Sequence, residues 1–148
     1  MMRRALLACM GVWLFCCALA CAELQVPAVA TGKTATDLGG QTVLIVHYRR
    51  DAADYTDWNL WAWHGQAEGA AHAFTGSDAF GLYALVVYEE AHPKLGFLIR
   101  RGEWEEKDGA RDRMVEVNAD GVAEVWVQEG RMAFGTTPPL VDEAQNAF

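Results

Sequence analysis

Cysteine is missing from most of this chain of 148 residues. The four cysteines lie at Cys9, Cys16, Cys17 and Cys21, and none follows Ala22. A disulfide framework and a cysteine-based zinc site are therefore excluded from the remainder of the chain. The fold must be stabilised by an apolar core, and about 126 residues are enough to bury one.

Basic residues are also few, since 12 Lys and Arg stand against 20 Asp and Glu, which gives a formal charge of -8. Two of the basic residues, Arg3 and Arg4, lie in the first few positions, so the rest of the chain is more acidic still. Such a chain has no positive field with which to hold nucleic acid or an anionic membrane surface. We therefore expect neither as a partner.

The usual catalytic motifs are absent as well. Ser77 is the only serine, and no G-x-S-x-G surrounds it. The four histidines show neither H-x-H nor HExxH spacing, and the Asp51, Asp54 and Asp57 run lacks the spacing of a calcium loop. The 20 Asp and Glu leave a carboxylate pair for glycoside hydrolysis open as an alternative, although nothing singles out two of them. We expect no enzyme activity, no metal and no cofactor.

The first 22 residues, Met1 to Ala22, have the three parts of a secretory signal. Arg3 and Arg4 precede the uncharged apolar stretch from Ala5 to Leu19, and small-x-small cleavage sites follow it. We expect bacterial export to the periplasm, the cell surface or the medium. Because the apolar stretch is short for a membrane span, a retained anchor is the less favoured alternative. Lipidation at Cys21 is a further one, and it would keep the protein on a membrane.

Strand-like segments recur beyond a polar, flexible lead-in over residues 23–40. They are Gln41–Tyr48, Trp58–His64, Phe80–Tyr88, Lys94–Arg101, Arg113–Val117, Val122–Gln128 and Arg131–Phe134. Turn residues separate them, and no amphipathic helix of convincing length appears. This pattern predicts an all-β, antiparallel β-sandwich over residues 41–135, and Pro138-Pro139 favours a linker-like tail over residues 136–148.

The segment Trp58–His64 carries three of the six tryptophans. Alternation along a strand places Trp58, Leu60 and Ala62 on one face. Trp61 and Trp63 then share the other face, about 6.6 Å apart. Two exposed indoles leave an apolar patch in water, which usually marks a ligand site, and flat rings suit the faces of pyranose sugars. The alternative is that both faces of this strand are buried and both indoles belong to the core.

A second cluster is the charged segment Arg100–Asp112, which is predicted to be a loop between two strands. Sugar hydroxyls need both donors and acceptors, and Lys and Asp side chains supply these. A charged loop that is merely solvated is the commoner case.

Six stretches of this sequence carry a resemblance to a known family. They are His47–Arg50 with Tyr55–Trp63, then Phe74–Gly81, Lys94–Gly102, Lys107–Arg113 and Glu124–Gln128. In this order they resemble the N-terminal starch-binding module of bacterial pullulanases. That module is also called the pullulanase-associated domain, or carbohydrate-binding module family 41. The resemblance extends over about Val43–Phe134.

The resemblance implies an immunoglobulin-like β-sandwich that binds α-glucans: maltooligosaccharides, amylose, pullulan and glycogen. It implies that Trp61 and Trp63 stack on adjacent glucose rings, and that Lys107 and Asp112 hydrogen-bond the sugar hydroxyls. The family loop usually has proline near this Lys-Asp pair, where this chain has Gly109 and Ala110.

Pullulanase activity is not implied, because no catalytic barrel lies within the sequence up to Phe148. We expect a secreted, non-catalytic module, with a separately encoded amylase or pullulanase as a further partner. The alternative is a periplasmic protein-interaction domain that uses the same aromatic face, since aromatic patches also mark protein interfaces.

Overall fold

A computed structural model describes residues 38–139 of the chain. The predicted signal sequence, nearly all of the predicted lead-in and the tail beyond Pro139 lie outside the described residues. No helix among residues 38–139 is long and apolar enough to span a membrane.

Eight strands make up the regular structure of the described residues. They are β1 (Thr42–Arg49), β2 (Trp58–His64), β3 (Ala70–Ala73), β4 (Gly76–Ser77), β5 (Leu82–Tyr88), β6 (Lys94–Arg101), β7 (Glu106–Glu116) and β8 (Val122–Gln128). They form two four-stranded sheets, in the orders β4-β5-β1-β8 and β3-β2-β6-β7. Neighbouring strands are antiparallel except β1 and β8, which run parallel. A parallel pair needs a long crossover connection, and the chain from β2 to β7 supplies it.

A single apolar cluster joins the two sheets. Its members alternate along the strands: Leu44, Val46 and Tyr48 on β1, Ala84 and Val86 on β5, Ala123, Val125 and Val127 on β8, Trp58, Leu60 and Ala62 on β2, Leu95, Phe97 and Ile99 on β6, and Val115 on β7. Each sheet therefore turns one face inward, as alternation along half-buried strands requires. The predicted all-β sandwich is confirmed.

The strand boundaries differ from the sequence prediction in three places. The short strands β3 and β4 were not predicted, because Ala and Gly give them little strand character. Residues 131–134 are not a strand, although nearby Trp126 and Gly135 form an isolated bridge. The charged segment is mostly strand, since β7 begins at Glu106 and only residues 102–105 form a turn. An edge strand such as β7 tolerates charged side chains on its exposed positions.

Candidate functional site

Two tryptophans project from the outer face of β2. Trp58, Leu60 and Ala62 are buried in the core, whereas Trp61 and Trp63 alternate with them and are only half-buried. The predicted alternation is confirmed, and the alternative in which both faces of β2 are fully buried does not hold. The two indoles are available at the surface of the second sheet.

Glycines lie beneath both rings. Gly96 is the register partner of Trp63 on β6, and a Cβ built at Gly96 would be 2.1 Å from Cε2 of that indole. A Cβ at Gly69, in the irregular segment just before β3, would be 2.2 Å from Nε1 of Trp61. Each indole thus occupies space that any other residue would fill with a side chain. The missing side chains let the two rings lie close to the backbone.

Arg100 is held between two indoles. Its guanidinium carbon lies 4.3 Å from the ring centroid of Trp61 and 4.4 Å from that of Trp104. Nε of Arg100 donates a hydrogen bond of 3.0 Å to Oδ1 of Asn59. Only 1% of Arg100 is exposed, so these cation–π contacts are desolvated and each contributes about 2 kcal/mol. The buried guanidinium of Arg100 thus packs against both Trp61 and Trp104.

Trp104 is a site residue that the sequence prediction missed. It lies in the turn between β6 and β7, with 50% of its surface exposed and φ at 84°. Its ring meets that of Trp61 edge-on, with 5.2 Å between the centroids. The available signal was one indole within an otherwise charged turn. A left-handed backbone at a bulky residue is costly, and such strain tends to collect at functional sites.

Lys107 and Asp112 project from β7 on the same outer face as the indoles. Their odd spacing would put them on opposite faces of a regular strand. The pairing with β6 shifts, however, because Ile99 faces Asp108 whereas Phe97 faces Arg113. Residues 109–112 form a bulge opposite Leu98 alone, and this bulge restores Asp112 to the face of Lys107. Nζ of Lys107 donates to Oδ1 of Asp112 at 3.1 Å.

All four residues predicted for the site line one open depression of about 300 Å³. Its lining is Trp61, Trp63, Ala67, Gly69, Leu98, Trp104, Lys107 and Asp112. The depression therefore combines three indoles with one exposed cation and one exposed carboxylate. Within residues 38–139 there is no group of three His, Cys, Asp or Glu placed to hold a metal ion.

Residues 42–136 match the family model of the bacterial pullanase-associated domain. The chain belongs to this family. The resemblance that the tryptophan segment and the Lys-Asp segment carry is thereby confirmed. The match includes every strand and every residue that lines the depression.

Several solved structures share the fold of this domain. Family 41 carbohydrate-binding modules from streptococcal virulence factors, studied for alpha-glucan recognition, superpose with a TM-score of 0.51 at 18% identity, over 62% of this chain and 45% of theirs. The multi-modular glycogen-degrading pneumococcal virulence factor SpuA gives 0.51 at 18%, over 66% of this chain and 10% of its own. Klebsiella pneumoniae pullulanase complexed with maltotriose gives 0.51 at 21%, over 85% and 13%. The chain thus spans less than half the length of each.

Proposed function

We propose that this chain is a non-catalytic carbohydrate-binding module for α-glucans. The observation that supports it most is that three indoles line one depression together with Lys107 and Asp112. Membership of the pullulanase-associated family supports the same function, as do the structural neighbours studied for alpha-glucan recognition. The ligand classes are maltooligosaccharides, amylose, pullulan and glycogen.

The indoles supply the apolar part of the site. Because Arg100 is almost fully buried, the side of Trp61 that it covers is the inner one, and the outer side is left for a ligand. The C–H groups on the face of a pyranose ring pack on such a π-surface, which contributes about 1 kcal/mol per ring. Trp61 and Trp63 would each take one of two neighbouring glucose units, and Trp104 would flank them.

Lys107 and Asp112 supply the polar part of the site. Their side chains are 35% and 57% exposed, so their mutual ion pair is weak and a ligand can compete for it. Lys107 offers three N–H donors and Asp112 only acceptors. The pair thus suits two adjacent hydroxyls, one accepting from Lys107 and one donating to Asp112. Each such bond replaces one to water, so the pair orients the sugar more than it tightens binding.

A shallow site of this size predicts micromolar to millimolar dissociation constants. Such affinities suit a module that keeps a partner near a polymer. A separately encoded amylase or pullulanase is the partner that we propose, and the module itself would release no reducing sugar from pullulan.

We further propose that Met1–Ala22 directs export and that residues 41–135 form the module. The lead-in over 23–40 and the tail over 136–148 would be linkers. Amino-terminal sequencing of the exported protein tests this, since cleavage is expected after Ala20 or Ala22. A lipid-modified Cys21 at the new terminus would instead show a membrane-anchored form.

Titration of the exported domain with maltotetraose, followed by tryptophan fluorescence, tests the function. Cellotetraose is the control, because it has the same units in β-linkage. A saturable change with maltotetraose alone is expected, and Trp61→Ala should abolish it while the far-ultraviolet circular dichroism is unchanged. No response to either sugar from the folded wild type would overturn the proposal. The search would then turn to a protein partner of the same aromatic face, whose binding maltotetraose should not displace.

A further inference from the structure

We propose that the buried pair Asp108–Arg113 is a positioning latch that holds Lys107 and Asp112 together on the outer face. The inference deepens the proposed function, and the effect that we expect on sugar affinity rests on that function. The latch lies one residue along the strand from each of the two polar site residues, on the opposite face of β7.

The register of β7 creates the need for a latch. Asp108 and Arg113 pair with the core residues Ile99 and Phe97, so both side chains point inward. Lys107 and Asp112 precede them by one residue and therefore point outward. Fixing the inner pair across the bulge fixes the outer pair as well.

Hydrogen bonds from Arg113 join the two ends of the bulge on its buried side. Nη1 of Arg113 donates to the backbone oxygen of Asp108 at 3.0 Å, and Nη2 lies 3.5 Å from Oδ1 of the same residue. Asp108 and Arg113 are 5% and 1% exposed. The exposed pair Lys107–Asp112 is screened by water and cannot hold four bulged residues by itself, whereas a buried, multiply bonded pair can.

The latch is hydrogen-bonded to β1 of the other sheet and to residues 130 and 131, which follow β8. Tyr48 on β1 donates to Oδ2 of Asp108 at 2.6 Å, and the backbone N–H of Gly130 donates to Oδ1 at 3.0 Å. Nη2 of Arg113 donates to the backbone oxygen of Arg131 at 2.6 Å. The position of the bulge is thus set by the core and not by the loop itself.

Gly109 shows how tightly the bulge fits over the latch. Its φ is 92°, and a Cβ built there would lie 2.8 Å from Sδ of Met132 and 3.0 Å from Nη2 of Arg113. Glycine adds no stiffness of its own to the bulge. The buried guanidinium then has to supply the rigidity.

A double-mutant cycle with maltotetraose tests the latch. Arg113→Lys keeps the charge but loses the planar fork that reaches both Asp108 and Arg131. We expect it to weaken binding about tenfold in the wild type and less than about twofold in an Asp112→Ala background, as coupled neighbours do. Equal losses in both backgrounds would overturn the proposal. Gly109→Ala, which distorts the bulge without changing a charge, should show the same coupling.

Two further measurements separate positioning from general loss of stability. Val125→Ala is the control, because Val125 lies in the core on β8 in the other sheet. It should lower the melting temperature but leave the affinity unchanged while the protein is folded. Amide hydrogen exchange is the readout that needs no sugar. Arg113→Lys should accelerate exchange of the β7 amides on either side of the bulge about tenfold relative to Val125→Ala.

The two readouts distinguish the two proposals. If the wild type fails to bind maltotetraose while Arg113→Lys loosens β7, the proposed function fails and the latch stands. If the wild type binds and Arg113→Lys changes neither affinity nor exchange, the latch is wrong and the proposed function stands.

Discussion

Trp63 lies over Gly96, its partner on the neighbouring strand, so closely that a Cβ at Gly96 would be 2.1 Å from the indole. The orientation of the outer ring is therefore set by β6 as well as by β2. A glycine weakens the interior of a strand, but here the absence of a side chain at Gly96 leaves the space that the Trp63 ring occupies.

The first prediction is that Gly96→Val displaces the Trp63 ring and weakens maltotetraose binding about tenfold, the effect of losing one stacking contact. Valine favours strands, but at this buried position it must push the ring aside, so we expect a loss of about 1–3 kcal/mol in the free energy of unfolding. Isothermal titration and thermal melting measure the two quantities. Gly135→Ala is the control, because an added methyl there meets nothing closer than 3.3 Å. Unchanged binding in Gly96→Val would show that sugar binding does not require the Trp63 ring to lie over residue 96.

The second prediction concerns the exposed indole in the turn. Trp104→Ala and Trp104→Gly both remove the ring and should weaken sugar binding equally. Because φ is 84° at this position, glycine fits the turn better than alanine. The glycine variant should be more stable than the alanine variant by about 1 kcal/mol or more in urea unfolding. Equal stabilities would mean that the turn relaxes when the indole is removed, and different affinities would mean that Trp104 acts through the backbone.

The third prediction concerns the cation beneath the rings. Arg100→Met removes two cation–π contacts and leaves Oδ1 of Asn59 without its donor. We expect a loss of about 3 kcal/mol in the free energy of unfolding, with a change in tryptophan emission in the absence of sugar. Arg100→Lys should restore little, because an ammonium cannot stack flat between two indoles. Full recovery by lysine would show that only the charge matters.

The sequence was sufficient for the parts of the site that follow strand alternation. The two faces of Trp58–His64 follow from strand alternation, because Trp58, Leu60 and Ala62 form an apolar stripe that suits a core. The family resemblance identified Lys107 and Asp112, but alternation alone places them on opposite faces. Their meeting depends on the bulge opposite Leu98, which is a property of two strands paired together and cannot be seen in one of them.

Trp104 was missed for a related reason. Nothing in the sequence around it distinguishes a solvated charged turn from one that folds its indole back over β2. The two indoles also share a contact with Arg100, whose side chain is buried although it lies on the outer face of its strand. A local sequence pattern describes only the strand in which a residue lies. This site is assembled from β2, β6, β7, the turn between β6 and β7, and the segment between β2 and β3.

The last prediction is a loss of stability at alkaline pH through Tyr48. Burial, followed by the hydrogen bond that it donates to Asp108, raises the pKa of Tyr48 above its ordinary value, and burial likewise raises the pKa of Tyr88. The folded state therefore holds these protons to higher pH than the unfolded chain does. The resulting stability is fully present below about pH 10 and declines as the pH rises further, by up to about 1.4 kcal/mol per pH unit for each group.

Tyrosinate absorbance and near-ultraviolet circular dichroism, recorded together during an alkaline titration, measure this effect. The chain has four tyrosines. The signal of Tyr48 should appear only as the dichroism collapses, and that of Tyr88 should appear above the ordinary pH range of tyrosine. Tyr48→Phe removes one of the two groups, so its unfolding free energy should fall less steeply above about pH 10 than that of the wild type, whatever its value at neutral pH. Complete ionisation of all the tyrosines in a protein that keeps its native dichroism would contradict the prediction. It would also mean that the hydroxyl of Tyr48 is not committed to Asp108, and the latch would lose its anchor to β1.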